Sequence, residues 1–161
     1  MNNTPDVYVA RLLEITNSKY DYLKKILELT KEQANCINKD EVKKLEDIIE
    51  VKQQIIEKIN KLDDEFEVYF RRLKFEAKIK TMEELRDQNI SGIKELKDSV
   101  SLVMDILNQL SSLDNSNRSD AKKLMSKIGS EIKKVNIGKK AYTAYNPQSD
   151  QSPSYFIDKK K

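Results

Sequence analysis

The sequence has no histidine and no tryptophan, one cysteine, and only three glycines and three prolines among 161 residues. Without histidine there is no Ser/His/Asp or Cys/His arrangement, no imidazole ligand for zinc and no side chain that ordinarily titrates near neutral pH. Three scattered glycines cannot form a phosphate-binding loop. We therefore predict that the chain is not an enzyme and needs no cofactor and no metal. An enzymatic site would have to consist of Lys, Tyr and carboxylates alone.

The single cysteine, Cys36, excludes an internal disulfide framework and is compatible with a reducing compartment. No base is present to activate it, so we expect a packed, inert thiol. The first residues lack the basic and apolar regions of a signal peptide. No stretch approaches the ~18 consecutive apolar residues that span a bilayer. These features predict a cytoplasmic protein without stable membrane insertion.

Charge is abundant but almost balanced, with 35% charged residues and a net charge of +3. Residues 81–120 carry 4 basic against 8 acidic side chains, and residues 121–161 carry 10 basic against 3 acidic. The small net charge does not favour nucleic-acid binding. The end of the chain differs electrostatically from the body that precedes it.

The scarcity of glycine and proline, together with many Lys, Glu, Leu and Ile residues, predicts long helices. Along the first helix, small or apolar residues alternate at spacings of four and three, as in a heptad seam. The members of this seam are Val9, Leu13, Thr16, Tyr20, Leu23, Leu27, Thr30, Ala34 and Ile37.

Three polar segments predict the breaks between helices. Asn38–Glu41 separates the first helix from a second that runs from about Lys39 to Ile79 and is roughly 60 Å long. That length predicts a rod. A capping box of Thr81 and Glu84 is expected to start the third helix, within which Gly92 indicates either a close helix approach or a bend. Asp114–Asn117 is predicted to end it.

Behind that break, residues 121–135 are apolar on one side and lysine-rich on the other. Three interpretations remain open: a helix that closes the bundle, a helix on an anionic membrane surface, or an element that docks beside or in place of a partner helix. The predicted division is 1–113 for three helices, 114–138 for the amphipathic helix and 139–161 for a flexible basic tail. The aromatic residues of that tail indicate anchors for a partner or incidental composition.

The order of these segments resembles the FlgN family of flagellar export chaperones. The resemblance covers the whole chain and is most particular at Asn38–Leu45, which leads to Lys52-Gln53, and at the terminal Phe156-Ile157-Asp158-Lys159-Lys160. It implies an all-α fold, an elongated antiparallel helical bundle of three long helices with a short fourth amphipathic helix and a flexible tail. It also implies a cytoplasmic chaperone that binds helical termini of hook–filament junction proteins and delivers them to the flagellar type III export apparatus.

In the family, substrate is engaged by the C-terminal part of the chain. Carried over to this sequence, the protein-binding residues are Leu110, Leu113, Leu124, Met125, Ile128, Ile132, Val135, Tyr142, Tyr145 and Phe156. The expected partners are junction proteins and components of the export apparatus, with no nucleic acid. The competing hypothesis is a homo-oligomeric coiled coil or spectrin-like scaffold, in which the same seams join copies of the chain. The sequence leaves weak homo-oligomerisation open.

Overall fold

The computed structural model describes residues 4–131, and that part of the chain is all-α. Three long helices span Pro5–Asn38 (α1), Val42–Ala77 (α2) and Ile93–Glu131 (α3), and a short 3₁₀ helix spans Met82–Asp87. No strand occurs within these residues. The predicted all-α fold, with three long packed helices and one short helix, is confirmed. The short helix, however, lies between α2 and α3 and not after α3. The predicted tail, 139–161, lies outside the described residues.

The chain forms two compact units, each of which contains part of all three long helices. Among the described residues, the first unit comprises residues 4–23 and Glu57–Ile106, and the second comprises Lys24–Ile56 and residues 107–131. Each unit therefore has three helical segments that share one core.

Helix direction within the first unit follows from its cross-helix contacts. Arg11 pairs with Glu65 at 2.8 Å and Lys19 with Asp63 at 2.7 Å, so α1 and α2 run antiparallel. The Ser99 hydroxyl of α3 donates to Asn17 Oδ1 of α1 at 2.6 Å.

The second unit has the same directions. There Lys52 of α2 donates to Gln33 of α1 at 2.6 Å, and the end of α1 packs on the start of α2. Asn117 of α3 contacts Thr30 of α1, and Lys127 contacts Asp40, so α3 runs parallel to α1.

The predicted heptad seam of α1 faces these cores. Its members Val9, Thr16, Leu23, Thr30 and Ile37 are buried, and the intervening members are half-buried. A strict alternation of three and four residues places side chains on one stripe of a helix, which here meets two neighbouring helices. The seam was therefore predicted correctly, including its two threonines. Thr16 and Thr30 satisfy their buried hydroxyls by donating to the carbonyls of Leu12 and Ile26 four residues earlier.

The core of the first unit is apolar and aromatic. The Tyr8 and Tyr69 rings lie 6.4 Å apart and the Phe66 and Phe70 rings 5.9 Å apart, both tilted. Aromatic pairs at such distances add to the free energy of burying their area. The buried members are Tyr8, Val9, Leu12, Leu73, Ile79, Leu85, Ile93 and Leu96.

One ion pair is buried in the first unit. Lys19 Nζ donates to Asp63 Oδ1 at 2.7 Å, and the two side chains are 2% and 7% exposed. The other carboxylate oxygen, Asp63 Oδ2, is buried and has no hydrogen-bond partner within residues 4–131. A buried charge without its partner would be strongly unfavourable. The pair therefore holds α1 and α2 in one register.

Helices α1 and α2 end in the same way, with a non-glycine residue in the left-handed conformation. Asp40 has φ 56° and Lys78 has φ 57°. The next amide donates to a carbonyl five residues earlier: Glu41 N to Cys36 O at 2.8 Å, and Ile79 N to Lys74 O at 3.0 Å. This is the Schellman pattern of helix termination. It explains why α2 begins at Val42 and not near Lys39.

The third helix begins later than the sequence indicates. Thr81 makes no side-chain cap hydrogen bond, whereas Glu84 Oε2 accepts from the Lys80 amide at 2.6 Å. Only the glutamate half of a capping box is therefore present, and it lies at the start of the 3₁₀ helix. Gly92 then has φ +92°, and its carbonyl accepts the first hydrogen bond of α3. A β-carbon at Gly92 would lie 3.1 Å from Val9 Cγ1, so this glycine both bends the chain and permits a close approach.

The predicted break at Asp114–Asn117 is absent, and this expectation was wrong. These residues lie inside α3, which continues without a break to Glu131, into the stretch predicted as a separate amphipathic helix. The polar side chains that suggested a loop have tertiary partners instead. Asn117 is 1% exposed and its Nδ2 donates to Thr30 O at 2.9 Å. Asp114 lies 3.4 Å from Lys52 Nζ. Such contacts offset the weak helix propensity of Asp and Asn.

Replacing Gly92 by alanine should destabilise the first unit. A positive φ strains any residue with a β-carbon, and Val9 would have to shift, so we expect a loss of ~1–3 kcal/mol in the free energy of unfolding. Gly129, inside α3, is the matched control, because a β-carbon added there would meet no atom within 4 Å. Gly129→Ala should stabilise by up to about 1 kcal/mol. Urea unfolding measures the free energy of unfolding of both variants. Equal changes in the two variants would contradict this placement of Gly92.

A double-mutant cycle tests the buried ion pair. Lys19→Met and Asp63→Leu should each cost ~3–5 kcal/mol, because each removes one partner of a buried ion pair. The double variant should recover most of that loss. As control, Lys43→Met breaks the exposed pair with Asp47 and should cost below ~1 kcal/mol. The free energies of unfolding are measured in urea. If the losses from the two buried substitutions simply add in the double variant, the two charges do not stabilise each other.

Candidate functional site

The predicted protein-binding residues that the structure describes all lie in the part of α3 that belongs to the second unit. Leu110 and Leu124 are buried, and Leu113, Met125 and Ile128 are half-buried. Ile132, Val135, Tyr142, Tyr145 and Phe156 lie outside the described residues. The described members are thus part of a helix–helix interface, and their role in binding stays a prediction.

The surface that this part of α3 covers is apolar. Cys36 and Ile37 at the end of α1 and Leu45 and Ile48 at the start of α2 form one buried cluster with Ala121 and Leu124. Half-buried apolar residues pack around it: Leu29, Val42, Ile49 and Ile128. If α3 were removed, α1 and α2 would present an apolar groove. We call this surface, formed by Cys36, Ile37, Leu45 and Ile48, the α1/α2 groove.

Polar contacts hold the same part of α3 in place. Lys52 Nζ lies 2.6 Å from Gln33 Oε1 and 3.4 Å from Asp114 Oδ1, and the Lys52 and Asp114 side chains are 12% and 23% exposed. Lys127 forms a further, exposed pair with Asp40. Exposed ion pairs contribute little to stability, because water replaces the partner when they separate. The interface of α3 in the second unit therefore combines apolar contacts with polar ones.

Three apolar side chains of α3 meet the α1/α2 groove, namely Ala121, Leu124 and Ile128. They recur at three and four residues, which is the spacing of a helix that docks in an apolar groove. Another amphipathic helix with the same spacing could make the same contacts. The arrangement is therefore suited to exchanging one helix for another.

An open cleft beside this groove was missed by the sequence analysis. It lies between the end of α1 and the start of α2, where Leu29, Cys36, Ile48 and Val51 provide apolar walls. Charged residues surround them: Glu32, Lys39, Glu41, Lys44 and Asp47. No feature of the sequence singles out this cleft, because the 44% exposure of Val51 follows only from how the helices pack.

Cys36 is buried at the base of the groove. Burial raises the pKa of its thiol, and the nearby Glu41 carboxylate raises this pKa further. A raised pKa keeps the thiol protonated at neutral pH and lowers its nucleophilicity. This agrees with the predicted packed, inert thiol. As the single cysteine of the chain, it can also report whether α3 covers the groove.

The family model described as FlgN protein matches residues 1–153 of the chain. The chain belongs to the FlgN family. This membership supports a flagellar export chaperone role in general and a flagellar protein as its client. No curated protein and no solved structure matched the chain. Within the part of this FlgN protein that the structure describes, none of the helices is apolar enough over a sufficient length to cross a bilayer.

Leu124→Ala should loosen α3 from the groove and expose Cys36. Truncating a buried leucine costs ~2–5 kcal/mol, and even ~2 kcal/mol raises the open population about thirtyfold. We expect slow alkylation of Cys36 by iodoacetamide in the wild type and at least tenfold faster alkylation in the variant. Met104→Ala, at a 40% exposed position of the first unit, is the control and should change little. An unchanged rate in Leu124→Ala would contradict the position of Leu124 over Cys36.

Proposed function

We propose that this FlgN-family protein is a cytoplasmic flagellar type III export chaperone for hook–filament junction proteins. It binds a helical terminus of its client, prevents premature assembly and delivers the client to the export apparatus. The observation that carries the proposal is the α1/α2 groove, which is apolar and is covered by a helix held through mixed contacts. Family membership supports the chaperone role on independent grounds.

The proposed mechanism is an exchange of helices. A client terminus that is buried between subunits in the assembled filament has an exposed apolar stripe before assembly. We propose that the part of α3 from Asp114 onward separates from the groove and that the client helix takes its place. The client's stripe would replace Ala121, Leu124 and Ile128 on the groove. The apolar residues freed from α3, together with Tyr142, Tyr145 and Phe156, would then be available to the client or the export apparatus.

Exchange is favoured by the character of the contacts that it breaks. The pair of Lys127 with Asp40 has side chains 54% and 46% exposed, so water compensates its loss. Asn117 and Lys52 can likewise hydrogen-bond to water once exposed. The apolar contacts, in contrast, are regained with the client helix. The net free energy of exchange is thus much smaller than that of opening the groove to solvent.

The scaffold alternative uses the same seams between copies of the chain. In the structure, the seam residues Val9, Leu23 and Thr30 are each 0% exposed within a single chain. A seam already buried within one chain is not available to join copies. This weighs against a coiled coil built from these residues. Size-exclusion chromatography with light scattering distinguishes the two, since the scaffold requires a stable oligomer at all concentrations.

Co-expression of the chain with the junction and filament-cap proteins of the same species tests which client it binds. We expect retention of a junction protein by the full chain, and failure to retain any would contradict the chaperone proposal. A truncation from residue 118 would also remove Ala121 and Leu124 from the core, so loss of binding could reflect unfolding. A truncation after Glu131 keeps the described helices. It therefore tests the contribution of the last 30 residues and keeps every residue that forms the groove.

A reversible lock tests the exchange itself. Ala121→Cys places a second thiol in the cluster that holds Cys36, so oxidation should cross-link α3 to α1. The oxidised variant should lose client retention, and reduction should restore it. Leu124→Cys provides a second position, and a short bismaleimide replaces the disulfide where the thiols do not oxidise. Ala121→Cys combined with Cys36→Ser is the control and should retain client under both conditions. A locked chain that still binds client would refute exchange at this groove.

A further inference from the structure

The outer face of α2 in the first unit carries an exposed aromatic residue. Phe75 is 80% exposed, whereas Leu73 and Ile79 on either side of it are buried in the core. A phenylalanine left in water loses the free energy that its burial would provide, ~1.5–3 kcal/mol. Its position on the outside is therefore unexplained by packing within the first unit.

Phe75 is held on a fixed part of the backbone. The helix ends two residues later at Ala77, the next residue Lys78 has φ 57°, and Ile79 N donates to Lys74 O at 3.0 Å. Ile79 then returns to the core of the first unit, where it is 6% exposed. With Leu73 buried on one side and Ile79 on the other, this part of the chain presents Phe75 in one direction.

Basic residues surround Phe75 on the helix surface. Residues 71–80 contain five basic side chains and one acidic. Arg71 and Arg72 lie four and three residues before Phe75, so both neighbour it on one helix face, and Lys78 follows just beyond the end of the helix. We call this surface, formed by Val68, Arg71, Arg72, Phe75 and Lys78, the Phe75 face.

The contacts of these cations leave them able to bind a carboxylate. Arg71 pairs with Glu67 at 3.2 Å, but both side chains are more than 60% exposed, and such pairs exchange readily with other partners. The Arg72 guanidinium lies over the Tyr69 ring at 5.7 Å, and Lys74 lies over the Phe70 ring at 5.1 Å. Stacking on rings restricts the side chains and lowers the entropy lost when they bind.

We infer that the Phe75 face binds an acidic, amphipathic segment of a protein other than this chain. Val68, at 41% exposure, lies seven residues before Phe75, a rise of about 10 Å. Two apolar contacts at that spacing suit a partner helix with apolar residues two turns apart. Phe75 is the apolar anchor, and Arg71, Arg72 and Lys78 attract carboxylates on either side of it.

Charge and shape favour this occupant over the others. The chain's own last 41 residues carry 10 basic against 3 acidic side chains, so like charge disfavours them. Glu67 and Glu76 interrupt the basic surface and disfavour a phosphate backbone. A membrane helix needs a broad apolar face, whereas two separated side chains provide a narrow one.

The inference does not rest on the proposed chaperone function, because the Phe75 face belongs to the first unit and the α1/α2 groove to the second. The experiment places the photo-crosslinker p-benzoylphenylalanine at position 75 of the full chain in its native cells. Leu102, which is 49% exposed on α3 between Asp98 and Asp105, is the matched control position. Mass spectrometry of the adducts identifies the cross-linked segment.

We expect a protein segment of net negative charge with apolar residues at helical spacing, captured from position 75 and not from position 102. Phe75→Ala should then reduce recovery of that partner at least tenfold without changing thermal unfolding or client retention. Arg71→Glu should reduce it as well. An adduct with nucleic acid, lipid, a basic segment or a second copy of the chain would overturn the inference. So would equal capture from both positions, or no adduct.

Discussion

Polar side chains buried between packed helices must find partners, and this constraint governs both units. In the first unit, Lys19 and Asp63 are joined at 2.7 Å almost without solvent. A shift of α1 against α2 by one turn, about 5 Å, would separate the two buried charges of this ion pair. Leucine and isoleucine contacts tolerate such shifts far better, since any apolar neighbour satisfies them. The ion pair thus selects among registers that the apolar residues alone would leave close in free energy.

The second unit meets the same constraint with weaker and more exposed groups. The polar contacts of its α3 with the rest of the unit include the amide of Asn117 on the Thr30 carbonyl, the partly exposed pair of Lys52 and Asp114, and the exposed pair of Lys127 and Asp40. Water can replace most of these when α3 separates, whereas nothing replaces the partner of a fully buried charge. The difference gives the two units different parts in the proposed function. The buried ion pair holds the first unit in one arrangement, and in the proposed mechanism the second unit exchanges a helix.

The sequence predicted the general fold because heptad spacing is a strong and redundant signal. Nine seam positions from Val9 to Ile37 repeat the same spacing, so no single residue has to be interpreted correctly. The helix ends were predicted less well. Thr81 and Glu84 form a good local cap, yet they begin a 3₁₀ helix, because the positive φ of Gly92 delays α3. The polar residues of Asp114–Asn117 predict a loop, yet this segment is helical because Asn117 and Asp114 have partners on other helices. Propensity differences below about 1 kcal/mol per residue cannot compete with such contacts.

The sequence by itself determined the helical class, the buried stripe of α1, the absence of histidine and the family resemblance that the FlgN match confirmed. These follow from composition and periodicity, which do not depend on how helices pair. The tertiary structure decided which apolar residues are covered and which are not. Leu124 of α3 is buried in the core of the second unit, whereas Phe75, one of several apolar residues of α2, is exposed to solvent. Burial depends on what stands opposite a side chain, and only the packing of one helix on another supplies that.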